Sequence, residues 1–99
     1  MEINIQAIRF EPTEKLQDFI HKKVGKLEKF SDEIRKVEVS LKVVKPATAL
    51  NKEASIKVLL PGEEMFVEKT CDTFEEAIDQ GMPALEKQLA RYKEKLSKK

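Results

Sequence analysis

Hydrophobic residues recur along this chain with two periods, and the switches between them mark the elements. Met1 to Phe10 sets Ile3, Ile5 and Ala7 at period two, which predicts a first strand with one face buried. From Leu16 through Phe19, Ile20, Val24, Leu27 and Phe30 the spacing is helical, with Thr13 as N-cap and Pro12 just before it. Arg35 to Lys45 returns to alternation, placing Val37, Val39, Leu41 and Val43 opposite Glu38, Ser40 and Lys42. Pro46 to Lys52 reads as a loop. Ala54, Ile56, Val58 and Leu60 then alternate up to Pro61-Gly62, a dipeptide suited to the central positions of a type II turn. Glu64 to Cys71 follows as a shorter strand that closes a hairpin. Thr73-Phe74-Glu75-Glu76 has the spacing of a capping box. Beyond it Phe74, Ile78, Leu85, Leu89, Tyr92 and Leu96 stay in phase nearly to the C-terminus. Gly81 and Pro83 cost this helix about 1 and about 3 kcal/mol relative to alanine. Because the apolar phase continues across them, the reading is one helix kinked at Pro83, which has no N–H for the Asp79 carbonyl.

The order is therefore β-α-β-β-β-α, an α+β fold. A right-handed crossover makes the first two strands parallel, and the hairpins make the rest antiparallel. The result is a four-stranded mixed sheet with two roughly parallel helices on one face. A ferredoxin-like domain would need a further strand after the second helix.

Composition narrows the function. The 99 residues predict one domain, and a chain this long buries roughly 60–70% of its unfolded surface without needing staples. A single cysteine, Cys71, excludes an internal disulfide framework and any Cys-based zinc site, and suits a reducing cytoplasm. No apolar run approaches the roughly 18 residues of a membrane span, and the alternating N-terminus does not read as a signal peptide.

Charge is the informative feature, although the net value of +1 conceals it. With Leu16 at zero and about 100° per residue, Lys15, Lys22, Lys26 and Lys29 fall between about 220° and 280° on the first helix. Glu14, Asp18 and Glu28 lie between about 120° and 200°. Lys23, at about 340°, lies inside the apolar stripe. Its stem can bury while its head snorkels out, or it can line a groove beside the second helix and offer a charge to a ligand. On the second helix, with Phe74 at zero, Lys87, Arg91, Lys95 and Lys98 lie between about 220° and 300°, and Lys93 departs from them. Residues 87–99 hold six basic side chains and one acidic, whereas residues 62–86 hold one basic and eight acidic. Cations in a last turn also complement the helix dipole. Two helices sharing a basic flank point further, to one surface for a polyanion. The low net charge is then expected to limit loose binding to arbitrary polyanions and to favour one fitted site.

Catalytic constellations do not emerge. His21 falls on the polar face of the first helix, Cys71 has no histidine nearby in sequence, and no Gly-rich phosphate loop exists. Neither a metal nor a cofactor is expected, and the chain reads as a non-enzyme.

Two stretches resemble a known family. The first is the N-terminal strand followed by Thr13, Leu16, Phe19, Lys23, Val24, Lys26, Leu27, Glu28, Lys29 and Phe30. The second, more specific, is Phe74, Ala77-Ile78-Asp79, Leu85, Lys87-Gln88-Leu89, Arg91 and Lys93-Glu94-Lys95. In residue and spacing they resemble the short ribosome hibernation-promoting factors, which include the ribosome-associated inhibitor proteins. The resemblance implies the β-α-β-β-β-α fold and binding to the small ribosomal subunit in the channel for mRNA and tRNA. It also implies suppression of translation in idle or stressed cells. The chain departs from the pattern at Gln80-Gly81-Met82-Pro83-Ala84, where the family usually carries a lysine at the place of Ala84. Long-form relatives add a second domain that pairs ribosomes, and residues 1–99 are expected to form a single ribosome-binding domain without it.

The expectation is a cytoplasmic factor, monomeric when free, with neither a membrane nor a small-molecule substrate as partner. Lys22, Lys23, Lys26, Lys29, Lys87, Arg91, Lys95 and Lys98 would contact phosphates of ribosomal RNA. The rival is a protein-interaction module that uses the acidic 62–86 segment to meet a basic partner.

Overall fold

The computed structural model describes residues 1–44 and 51–97, the last two by backbone alone. In chain order they form β1 (Glu2–Ala7), α1 (Glu14–Gly25), a 3₁₀ turn (Lys26–Lys29), β2 (Lys36–Val43), β3 (Lys52–Leu60), β4 (Glu63–Cys71) and α2 (Phe74–Ser97). This is the expected β-α-β-β-β-α order. The sheet runs β1-β2-β3-β4, with β1 and β2 parallel and both other pairs antiparallel. A parallel pair needs a long crossover, which α1 supplies. The end of the expected second strand at Lys45 and most of the loop after it lie outside the described residues.

The central strands show the alternation most cleanly because both their neighbours are strands. Register sets Val37 opposite Val58, Val39 opposite Ile56 and Leu41 opposite Ala54, and all six side chains are buried under the helices. β1 is an edge strand. Its inward residues Ile3, Ile5 and Ala7 are only half-buried, so the face that the sequence predicts as buried is covered in part. Gly62, at φ 75°, takes the left-handed position that the turn between β3 and β4 requires.

The first helical stretch ends differently from its sequence period. It is α-helical only to Gly25, then tightens into the 3₁₀ turn, where the Lys26 N–H bonds both the Lys23 and the Val24 carbonyls. The bond to Lys23 is i−3 pairing, the 3₁₀ pattern that takes over from the i−4 bonds of α1. Leu27 stays fully buried across the change, so the apolar period survives it.

α2 runs unbroken through Pro83. Thr73 Oγ1 accepts a hydrogen bond from the Glu76 N–H at 3.1 Å, so the threonine half of the capping box caps its start. The Gly81 backbone lies close to the sheet. A Cβ there would sit 3.4 Å from Val67 and 3.7 Å from Ile56, ordinary contact distances at which an alanine would fit. Beneath both helices Ile20, Val24, Leu27, Ile78, Leu85 and Leu89 complete the core. Each such side chain contributes about 1.5–3 kcal/mol on burial.

Candidate nucleic-acid interface

Caps and core contacts decide which way the cations of α1 point. Thr13 Oγ1 accepts from the Leu16 N–H at 3.1 Å, fixing the start of α1. Burial of Leu16, Ile20 and Val24 then rotates Lys15 and Lys22 into solvent. Lys26 and Lys29 are also exposed, and the 3₁₀ geometry brings side chains three residues apart into line.

Lys23 occupies the groove beside α2 that the sequence suggests, but its charge meets a partner from this chain. Its Nζ lies 3.2 Å from Asp79 Oδ1 and 5.6 Å from the centroid of the Phe19 ring.

On α2, Lys87, Arg91 and Lys95 are exposed at successive turns of one side. Arg91 and Lys95 line a depression of about 280 Å³ with Glu63, Glu64 and Met65, so this flank faces the β3–β4 turn. The basic flanks of the two helices share one rotational sense, and on α2 that sense leads away from α1. The seam between the helices carries Asp79 instead. Lys98 lies outside the described residues.

Sequence reasoning passed over Lys93, which lines a second depression of about 310 Å³ together with Lys29, Asp32 and Glu33. Its azimuth of about 100° is near that of Asp79, about 140°, so the α1-facing side of α2 was the available signal. Tyr92 borders both depressions. Its ring is buried, and its hydroxyl donates to Glu33 Oε2 at 2.8 Å, tying the end of α2 to the segment after the 3₁₀ turn. That bond holds the phenol's pKa above its ordinary value, with burial and the nearby Glu33 and Glu63 charges adding to it.

Chemically, this surface offers point charges for an extended anion and little else. Phe74 and Tyr92 belong to the core, and Phe74 stacks on Phe10 at 5.2 Å, so neither forms an exposed stacking platform. His21 is exposed on α1. Burial, followed by the Glu76 and Asp72 charges, pushes the Cys71 thiol pKa up against a smaller opposing effect of Lys69, which disfavours a reactive thiolate. No described helix is long and apolar enough to cross a membrane.

Comparison with known proteins agrees with this architecture. The chain is 34% identical to the ribosome hibernation promoting factor of Escherichia coli K12 over 101 residues, covering 97% of each. It is 30% identical to the factor of Pseudomonas putida over 95 residues, covering 96% of this chain and 89% of that one. Among solved structures, the ribosomal subunit interface protein from Coxiella burnetii superposes with a TM-score of 0.83 at 26% identity, over 94% of this chain and 98% of its own. The N-terminal domain of Thermus thermophilus Protein Y superposes at 0.78 with 29% identity, over 93% and 99%. Residues 3–97 match the family described as Sigma 54 modulation protein / S30EA ribosomal protein, and with these relatives the chain belongs to that family of ribosome hibernation promoting factors.

Proposed function

We propose that this protein binds the small ribosomal subunit through backbone phosphates of its RNA and inhibits translation by filling the channel for mRNA and tRNA. The observation that carries this reading is the set of exposed cations Lys22, Lys26, Lys29, Lys87, Arg91 and Lys95 on two helices packed on one sheet face. Lys93 beside Lys29 adds to it, and Lys98 continues the α2 flank in sequence. No exposed aromatic pair or base-reading helix accompanies these cations among the described residues, so recognition is of backbone and shape. Inhibition in this reading is steric, since a protein filling the channel excludes mRNA and tRNA. In this reading residues 1–99 form one ribosome-binding unit that acts in the cytoplasm and is monomeric when free. Its membership in the hibernation factor family supports the ribosome as target.

Cosedimentation with purified small subunits through a sucrose cushion tests the proposal. Each phosphate contact adds about 0.7–0.9 to the salt slope, so six contacts give a slope of roughly four to five between about 50 and 200 mM salt. Changing Lys26, Lys29, Lys87 and Arg91 together to Glu should leave the protein in the supernatant and translation uninhibited. A slope near zero, or binding that survives the reversal, would sink the electrostatic surface. A wild-type protein that never pellets with ribosomes would favour an interaction module built on the acidic 62–86 segment.

A further inference from the structure

Lys23 stands apart from the other α1 lysines in both burial and company. Lys15 and Lys22 are exposed, whereas the Lys23 side chain is 33% exposed and its Nζ lies 3.2 Å from Asp79 Oδ1. The Phe19 ring flanks the ammonium at 5.6 Å, close enough for a cation–π contact. With its head near both ring and carboxylate and its side chain two-thirds covered, Lys23 is less free to reach a distant phosphate than an exposed lysine is. Any phosphate that uses it must enter the seam between α1 and α2. Asp79 already stands there, 52% exposed and presenting an anionic oxygen like that of a phosphate.

We infer that Asp79 is a specificity-determining residue of the RNA interface. Its carboxylate withholds Lys23 from phosphates, so that only an RNA shaped to enter the seam and displace it gains this cation. An RNA strand lying loosely across the helices meets a neutral pair there. The ion pair therefore lowers affinity for arbitrary RNA more than for a fitted site. This inference rests on the proposed RNA binding by the helix face.

Binding of poly(U) and of purified small subunits, each measured as a function of salt, tests it with four proteins. These are the wild type, Asp79→Asn, Asp79→Asn with Lys23→Gln, and Glu75→Gln as a control of equal charge change on an exposed α2 carboxylate. Asp79→Asn should bind poly(U) about two- to fivefold more tightly near 100 mM salt, the scale of an exposed ion pair. Its salt slope should steepen by about 0.7, the single-strand value for one added contact. The double variant should return to the wild-type slope, Glu75→Gln should leave the slope unchanged, and the small-subunit to poly(U) affinity ratio should fall for Asp79→Asn. An unchanged slope or ratio for Asp79→Asn, an equal change for Glu75→Gln, or no reversal in the double variant would overturn the inference. Thermal unfolding confirms that each variant is folded, and Asp79→Ser replaces Asp79→Asn if the latter is not. A wild type that fails to pellet with ribosomes defeats the proposed target, whereas the poly(U) slopes still report whether Asp79 competes for Lys23.

Discussion

The two halves of α2 share a helical period and differ in almost everything else. From Phe74 to Pro83, the helix buries Phe74, Ala77, Ile78, Gly81 and Met82, and its backbone comes close to Val67 and Ile56 on the sheet. From Ala84 to Lys95, Leu85, Leu89 and Tyr92 are buried, while Lys87, Arg91, Lys93 and Lys95 stand in solvent. Charge divides within a turn of the same place, since the acidic stretch ends at Glu86 and the basic one begins at Lys87. The difference teaches that one helix can separate anchoring from presentation. A broad buried face with a close approach at Gly81 fixes the first half, and a narrower apolar stripe leaves more of the second half to carry cations.

Removing an anchor should have the largest effect on stability. Ile78→Ala should cost about 2–5 kcal/mol in urea denaturation, because Ile78 is fully buried and the cavity cannot collapse completely. Reversing Lys87 and Arg91 to Glu should change stability by less than about 0.5 kcal/mol per site while ribosome binding falls. Similar stability losses in both variants would erase the division between the halves. Gly81→Ala should bring a smaller gain, up to about 1 kcal/mol, from helix propensity. The new methyl meets Val67 at ordinary contact distance, so a clear destabilisation would show tighter packing than the 3.4 Å approach implies.

The smallest expected effect lies at alkaline pH and concerns the hydrogen bond from Tyr92 of the presenting half to Glu33. The folded-state pKa of Tyr92 is raised above its ordinary value of about 10, so its contribution is fully present below about pH 10. It is lost as pH rises through the higher folded value, because the unfolded chain gives up a proton that the native phenol keeps. Cys71, also raised, adds a loss of the same sign that begins near its ordinary value of 9.0. Denaturation midpoints across this range should therefore fall, and fall less steeply for Tyr92→Phe. Equal slopes in both proteins would assign the alkaline loss to Cys71 or to other groups.

Much of this architecture is legible along the chain. Val37 to Leu41 and Ala54 to Leu60 alternate because each strand has one face on the core, and the structure buries those residues. Thr13 and Thr73 announce helix starts because a side-chain hydroxyl must satisfy a local N–H, and both do so at 3.1 Å. The 3₁₀ turn is less legible, since Leu27 and Phe30 fit a helical period whether the last turn is α or tighter. Half-burial of β1 is also hidden, because alternation reports which side faces inward and not how far a helix extends over an edge strand.

The candidate surface divides in the same way. Azimuths sorted the cations of each helix correctly relative to its own apolar stripe, for Lys22 and Lys26 as for Lys87 and Arg91. Lys93 was set aside because it departs from the α2 flank, and only the packing of α2 against the segment after α1 brings it to Lys29.

Sequence alone therefore determined the elements, their order, their inward faces and the sorting of charge around each helix. These depend on contacts within a few residues and on the single requirement that apolar faces be buried. Tertiary structure decided what each charge meets. Lys23 finds Asp79 and Tyr92 finds Glu33 across nearly sixty positions of chain, with Tyr92 and Glu33 separated by 59. Such pairs are set by how two helices dock on a twisted sheet, and no local period encodes that geometry.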